Sequence, residues 1–590
     1  MPTIFYVEAP SSGRLALNSA GALHGTLGPH AADPAVLLCL SDSPSRGFMF
    51  SGSAATIRIE GSPFTEVVQP WRVRRSDGGV TLHDPANGHV LVAGEHGRLS
   101  LQAYSAENVA ALFTLTPVPE SALTPAMIRS AAFAQRLIPR NLNGPDILDV
   151  IARALTPETA PILQAVLRLL PRDQMEWLGG TILGLPDHLA RLAAAFPADI
   201  WASRAMPELH DWLATRPGVA QLRIPPALDF LADRGLDGRQ TSIAHTLNAV
   251  ARAGVPPRRT VCVVATARNE GLYLLEWIAY HRKIGAEAVF IYSNDNSDFS
   301  DDLLRALALA GEITWIENNL EAGGGAQPKA YGHAFGILPQ VLDFRWSLVI
   351  DLDEFFAFDA ARYRSLPDYI AWQETQHVDA IALNWVVFGS AGAGGWNDAP
   401  LTERFTKRLP WIDPHIKSLS RTNICVHSRP HHASFDWLRP VVTLDSDGVV
   451  HQTKGGASFS ANPRAERAWV AHYFLKSAQE FVWKFSRNRG DHALSREMNP
   501  NLIDAGFAGM FVAQHQSPTM ADDRRIIACA PQLRQEIDRL RALPGVADAE
   551  RRVLAAYRSG IEVLLGRMQI ESEFQVPGSP YAALLQFCGR

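Results

Sequence analysis

The sequence predicts a mostly parallel α/β sheet with helices on both faces over residues 256–500, preceded by an all-β domain and flanked by helical segments. Three observations carry that expectation. From Thr260 onward short apolar runs alternate with helical patterns, from "TVCVVAT" through "AEAVFIYSN" and "EITWIEN" to "SLVID", and such alternation builds a parallel sheet. Residues 1–118 hold short alternating runs split by glycine turns, as in "AATIRIEG" and "GGVTLHDPANGHVLVAG". Between these regions, and again after residue 500, apolar residues recur at helical spacing.

The 590 residues, 47% hydrophobic and 19% charged, suit a soluble protein with a sizeable core and about three or four domains. A formal charge of −5 creates no global field toward DNA or RNA, so no nucleic-acid partner is expected. The five cysteines are scattered without a CxxC pair, which argues against a disulfide framework or structural zinc and for a reducing compartment. The N-terminus lacks a basic region followed by an apolar one, and no run approaches the roughly 18–20 apolar residues of a membrane span. A cytoplasmic location is expected, at most peripheral to the inner face of a membrane.

Residues 1–118 close three units on the apolar strands "AVLLCL", "PWRVRR" and "ALFTL", roughly 35–40 residues apart. That period fits a β-trefoil, a shape often used to bind carbohydrate, although a small sandwich or barrel uses the same strands. Residues 119–255 form a helical linker domain from "PAMIRSAAFAQRL" to "DHLARLAAAF", ended by the proline hinge "AGVPPRRT". Within 256–500, "NEGLYLLEWIAYHRKIG", "DDLLRALALAG" and "GHAFGILPQVL" supply the helices between strands. The tail, 501–590, reads as an amphipathic helical hairpin with i,i+4 charge pairs that packs on the body or forms a homodimer. Its mixed charges weigh against a membrane-facing surface.

Ligands of such sheets lie beyond the carboxyl ends of the strands, and "SLVIDLDEFF" brings Asp351, Asp353 and Glu354 to one of those ends. On an extended strand Asp351 and Asp353 point to the same side, where two carboxylates hold Mg²⁺ or Mn²⁺. The spacing recurs at Asp445 and Asp447 in "LDSDGVV", but Gly448 there spells a hairpin turn. Position separates the two. "ATARNEG" sets Arg268, Asn269 and Glu270 where helix N-terminal amides face a ligand, and is neither a GxGxxG nor a Walker loop. "SNDNSDFSDD" offers Asp295 in a polar loop that binds a nucleotide, caps the next helix, or both; Phe299 at its sixth position excludes an EF-hand. In "HYFLKSAQEF", His472 and Lys476 fall i,i+4 on one helical face, an imidazole for a metal shell and an ammonium for a phosphate. The alternative there is an amphipathic helix with Phe474, Phe481 and Phe485 inward and its charges solvated.

In this order, "RNE", "YLLEWIAYHRKIG", "IYSNDNSD", "IDLDEFF", "NWVVFGSAG", "ERF" and "HYFLKS" resemble the bacterial branch of glycosyltransferase family 2 that is similar to family 92. The resemblance covers less than half of the chain. It implies a GT-A fold (Rossmann-like), a nucleotide-sugar donor with UDP as the default, a divalent metal, usually Mn²⁺ or else Mg²⁺, and inversion at the anomeric carbon. Carried over, Asp351 and Asp353 become the metal-holding DxD pair and His472 the late histidine of that shell. Arg268, Asn269, Glu270 and Asp295 line the nucleotide pocket, and Lys476 lies near the phosphates. Relatives more often have an aspartate-asparagine pair where this chain has Ser293–Asn294, which bears on base specificity. Inversion calls for a general base, with Glu403 the first candidate and Asp398 the second; an ion pair to Arg404 or Lys407 is the structural alternative for Glu403. Trp385 and Trp396 offer stacking surfaces for a glycan or glycolipid acceptor, and His432, with His427 and His431, either binds it or packs. A sugar-phosphate nucleotidyltransferase would want a glycine-rich loop at the first strand. A degenerate transferase that only binds carbohydrate would not need the DxD pair, His472 and Lys476 together.

Overall fold

The structure is a computed structural model. It describes residues 3–589 apart from 11–12, 19–21, 27–35, 41–45, 52–56, 61–64, 67, 86–87, 95–97, 105–110, 138–143, 157–158, 168–169, 233–241, 321–323, 436–440, 488–497 and 518. The chain forms two compact units. The first joins Met1–Leu213 to Gly235–Val255, and the second joins Ala214–Arg234 to Pro256–Arg590. The expected helical linker, 119–255, is therefore not one body, because residues 214–234 belong to the second unit.

Among the described residues the first unit opens with the strands β1 (Thr3–Ala9), β2 (Gly13–Leu17), β3 (Leu23–Thr26), β4 (Val36–Leu40), β5 (Arg46–Ser51), β6 (Ile57–Arg58), β7 (Thr65–Glu66), β8 (Val68–Ser76), β9 (Gly79–His83), β10 (Val90–Ala93), β11 (Leu99–Gln102) and β12 (Thr114–Pro117). Antiparallel pairing runs β12–β1–β4–β5–β8–β9. Val80 and Phe113 exchange backbone hydrogen bonds of 2.8 Å, which links the two ends of that row. β2–β3, β6–β7 and β10–β11 are hairpins, joined to one another by the bridges Ala22–Arg58, His24–Arg98 and Glu60–Ser100. Alternation sends Leu38, Leu40, Met49, Trp71, Leu82 and Phe113 into one shared core. Helices follow from Pro125–Leu137 to Met206–Thr215, with Ile243–Ala253 returning to pack on Arg172–Leu183. That pair meets at Gly179, where a Cβ would stand 2.6 Å from the Val250 side chain and 2.7 Å from the Ala251 amide. Only glycine admits so close an approach.

The second unit is built on one sheet. Its strands are β13 (Gln221–Arg223), β14 (Arg259–Ala267), β15 (Ala288–Ser293), β16 (Thr314–Glu317), β17 (Phe344–Val349), β18 (Glu354–Phe358), β19 (Ala380–Val387), β21 (Asp413–Arg421), β24 (Thr443–Asp445) and β25 (Ala468–His472). The short β20 (Lys407–Arg408) and the hairpin β22 (Cys425–Ser428)–β23 (Ala433–Phe435) lie outside it. The order is β13-β16-β15-β14-β17-β21-β19-β25-β18, with β24 beside β19. The first five strands are parallel, whereas β21 runs antiparallel to β17 and β19. The expectation of a mostly parallel sheet thus holds for one half only; the other is mixed. β15 lies to one side of β14 and β17 to the other, so a crevice opens beyond the carboxyl ends of β14 and β17.

The run "VCVVA" on β14 is buried on both faces, as a central parallel strand requires. Helix Leu274–Lys283 covers one face and is tied to β18: Trp277 Nε1 donates to the carbonyls of Asp351 (3.1 Å) and Glu354 (2.8 Å), and the Tyr280 hydroxyl donates to that of Phe356 (2.8 Å). The tail packs on this unit. Leu533, Leu540, Val546 and Val553 join the main core, while Tyr557, Leu564 and Leu565 join a second one around Phe481.

Candidate active site

At the switch point, residues from five chain segments surround a cleft of about 490 Å³, partly open to solvent, lined by Thr266–Arg268, Glu270, Asn294, Gln327, Asp351, Asp353, Lys484 and Arg487. Asp351 and Asp353 do not lie on a strand, as expected, but in the tight turn between β17 and β18. Glu354 N–H closes that turn on the Asp351 carbonyl (3.0 Å). The Glu354 carboxylate accepts the Asp351 N–H (2.9 Å), so it shapes the turn from below. Phe355 and Phe356 return the chain to the core, fully buried.

Both acids meet ammonium groups. Lys417 of β21, wholly buried, lies 2.7 Å from Asp351 Oδ2 and 3.1 Å from Glu354 Oε2. Burial alone would lower it, yet the two carboxylates hold it above the usual lysine value. Burial pushes Glu354 up to about 8 against the pull of Lys417. The Lys417 ammonium thus faces Asp351 and Glu354 together. Asp353 is paired with Lys484 and approached by His472 Nε2 (3.5 Å) and Lys476 Nζ (3.7 Å). Burial raises its carboxyl, but Lys484, Lys476 and His472 outweigh burial and hold it well below the carboxylate range. Burial lowers His472 more than Asp353 raises it, which favours the neutral imidazole.

His472 and Lys476 come together differently from the helical expectation. His472 ends β25, Lys476 turns the chain at φ 54°, and the helix begins only at Ala478, after the Ser477 cap. Ser477 and Glu480 form a capping box. Glu480 also pairs with Arg404 (2.8 Å) and accepts the Tyr273 hydroxyl (3.1 Å), so this part of the helix is buried rather than solvated. The Lys476 ammonium sits 4.5 Å over the Tyr273 ring, and burial lowers it to about 8.

The "RNE" loop is also corrected. A 3₁₀ turn, Gly271–Tyr273, precedes the helix, and two of the loop amides are satisfied by neighbouring side chains. Asn269 N–H donates to Asn296 Oδ1 (2.7 Å) and Gly271 N–H to Asp298 Oδ2 (3.2 Å). Asn269, at φ 49°, exchanges side-chain hydrogen bonds with Ser297, and Asp295 N–H donates to Asn319 Oδ1 (2.9 Å). These two residues order the loops; Arg268, Glu270 and Asn294 face the cleft. Glu270 pairs with Arg487 (2.9 Å). Asp445 accepts the N–H groups of Asp447 (3.0 Å) and Val449 (2.9 Å), the hairpin use read from its glycine.

The acceptor and base candidates separate. Trp385 packs beside the cleft, its ring 4.3 Å from His472 and 4.6 Å from His415. Trp396 and Asp398 line a different cavity with Arg404 and Arg541, where Trp396 meets Tyr557. Glu403 is held by Arg534, with Nε 3.0 Å from Oε1, rather than by Arg404 or Lys407, and does not line the cleft. His432 contacts Ser458 Oγ (3.3 Å), and His431 stands 5.3 Å from Trp385. Sequence reasoning missed Lys417, Lys484 and Arg487. A lysine inside the strand "HIKSLS" was the one local signal of a paired buried charge.

Among the described residues no three His, Cys, Asp or Glu side chains converge as a complete metal cage. Asp353 and His472 nevertheless offer an ionised carboxylate and a neutral imidazole side by side. Mg²⁺-like ions are commonly held by one or two protein carboxylates with substrate phosphates supplying the rest, so these donors fit such an ion.

The fold and the site define an α/β protein with a lysine-rich, acid-lipped cleft at its switch point. No family model matches the chain. Three plant proteins described as glycosyltransferase family 92 proteins resemble it. One from Ricinus communis is 32% identical over 127 residues, 19% of this chain and 22% of the relative. One from Arabidopsis thaliana is 22% identical over 259 residues, 42% of each. One from Oryza sativa subsp. japonica is 30% identical over 105 residues, 17% of this chain and 16% of the relative. The matches thus span less than half of these relatives' length. They support a glycosyltransferase family in general, through plant family 92 rather than the bacterial family 2 branch. A crystal structure of Polyporus squamosus lectin bound to a human-type influenza-binding epitope aligns at 10% identity and a TM-score of 0.17, over 28% of this chain and 74% of the lectin.

Proposed function

We propose that the protein is a metal-dependent, inverting glycosyltransferase of GT-A fold that moves a sugar from a UDP-sugar to a glycan or glycolipid acceptor. The observation that carries this reading is the charge at the switch point. Five cationic side chains, Lys417, Lys476, Lys484, Arg268 and Arg487, gather at the cleft and its DxD turn beside the carboxyl groups of Glu270, Asp351, Asp353 and Glu354, and such a concentration of positive charge suits a diphosphate. Arg268 and Asn294 line the side suited to the nucleotide. Asp353 and His472 would hold Mn²⁺ or Mg²⁺, with Asp351 beside them, and the bound ion would act as a Lewis acid on the diphosphate. Lys484 and Lys476 exchange part of their pairing with Asp353 for the phosphate oxygens and stabilise the charge that develops on the leaving group. Lys417 and Trp277 keep the DxD turn in place. We read residues 1–118 as a β-trefoil and carbohydrate-binding module, supported by the three bridged hairpins and the end-to-end link of the strand row.

The test is UDP release from a panel of UDP-sugars with Mn²⁺ and glycan acceptors, with and without EDTA. Metal-dependent release from at least one donor is expected; none from any donor overturns the reading.

A further inference from the structure

We infer that Asp413 and His415 form the pair that accepts the proton of the acceptor hydroxyl, an assignment that rests on the glycosyltransferase reading above. With Glu403 held by Arg534 and Asp398 in a separate cavity, neither carboxylate named for that role from the sequence lines the cleft. β21 fills the role from a position beside the DxD turn. His415 lies two residues before Lys417, in the bulge where the pairing of β21 with β19 passes from Ile416 directly to Asp413, and Lys417 reaches Asp351.

His415 Nδ1 lies 2.7 Å from Asp413 Oδ1, which also accepts the His415 backbone N–H (2.9 Å). Burial raises the Asp413 carboxyl, but its hydrogen bonds from His415 pull it below the usual value. An ionised carboxylate only accepts, so the proton of the neutral ring sits on Nδ1 and the lone pair on Nε2. Among the described residues nothing hydrogen-bonds Nε2, and the side chain is 33% exposed. Such a ring is oriented, polarised and open.

The surroundings suit a sugar. His415 stacks on Trp385 with ring centroids 4.6 Å apart and planes at 19°. Trp385 in turn contacts His472, the histidine beside Asp353. His431 stands 5.4 Å from His415, and Phe459 4.5 Å on another side. The titratable groups facing the ring are Asp413 from its own strand, His431 from the β22–β23 hairpin and, across Trp385, His472. Burial lowers His431 to about 4, so it is uncharged at neutral pH.

In the step, the acceptor O–H proton passes to His415 Nε2 and the oxygen's electron pair forms the bond to the anomeric carbon. The bond to the diphosphate breaks, and its electron pair leaves on the diphosphate oxygen. Asp413 stabilises the imidazolium until the proton is lost to solvent. Asp413 is a positioning residue.

The test uses the full chain as wild type, H415A, H415Q and D413N, with Mn²⁺, UDP-galactose, UDP-glucose and UDP-N-acetylglucosamine as donors and methyl glycosides as acceptors. UDP affinity by calorimetry stays within about 2-fold of wild type, while kcat for UDP release falls roughly 10²–10³-fold in H415A and H415Q. Added imidazole restores part of the H415A activity, which a purely structural role would not allow. D413N lowers kcat with little change in donor KM. An active wild type with equally active H415A and H415Q overturns the pair alone. Loss of UDP binding in step with activity also overturns it, in favour of a donor-side role. A wild type that binds no UDP and releases none overturns the transferase reading and the pair with it.

Discussion

Asp353 and Asp447 each close a DxD spacing, yet their surroundings differ in kind. Asp353 is 3% exposed amid three cationic or imidazole groups, whereas Asp447 accepts the Arg467 N–H (2.8 Å) beside a hairpin turn. Asp353→Ala is therefore expected to abolish metal-dependent UDP release, and Asp447→Ala to leave it largely intact; equal loss would contradict the assignment. Lys476 supplies a pH prediction. Burial lowers its value to about 8, so the ammonium is present below that pH and is lost as pH rises through it. UDP affinity should fall across this interval, and Lys476→Met should flatten that part of a calorimetric pH series. Asp351, Asp353 and His472 were legible from short motifs. Lys417 and Lys484 were not, because they reach Asp351 and Asp353 across 66 and 131 residues of chain.

Helix Leu274–Lys283 was read from its apolar spacing, but its second task was invisible there. Trp277 holds two carbonyls of the DxD turn, and Trp277→Phe takes the indole donor from the buried Glu354 carbonyl, while that of Asp351 keeps the Glu354 N–H. A loss of about 1–3 kcal/mol is expected, read from the urea midpoint, with weaker UDP binding. The helix through Phe481 shows how a motif can mislead. Spacing i,i+4 suggested that His472 and Lys476 shared one helical face, while the S-x-x-E sequence of Ser477 and Glu480 already marked the true start. Ser477→Ala should cost about 1 kcal/mol by removing the cap, measurable by the same denaturation. The "RNE" loop was expected to present helix N-terminal amides to a ligand, whereas Asn296 and Asp298 of "SNDNSD" accept the N–H groups of Asn269 and Gly271.

At the scale of the whole molecule, the tail after residue 500 is part of the second unit's interior. Leu540, Val546, Val553 and Leu565 are nearly fully buried within it. Removing 501–590 should expose that surface and abolish a cooperative unfolding transition, seen as rapid proteolysis; a stable, UDP-binding truncation would contradict it. Likewise β13, from a segment read as helical linker, adds the edge strand of the sheet. Hydrophobic periodicity determined the strands and helices of residues 258–350 and placed the acids at a strand end, since those patterns reflect neighbours a few residues apart. Only the tertiary structure decided the mixed half of the sheet, the lysines around the acids, the pairing of Glu403 with Arg534 and the approach of Asp413 and His415 to Trp385. The physical reason is that sheet order, not local sequence, sets which distant side chains share a face, and burial there fixes their charge.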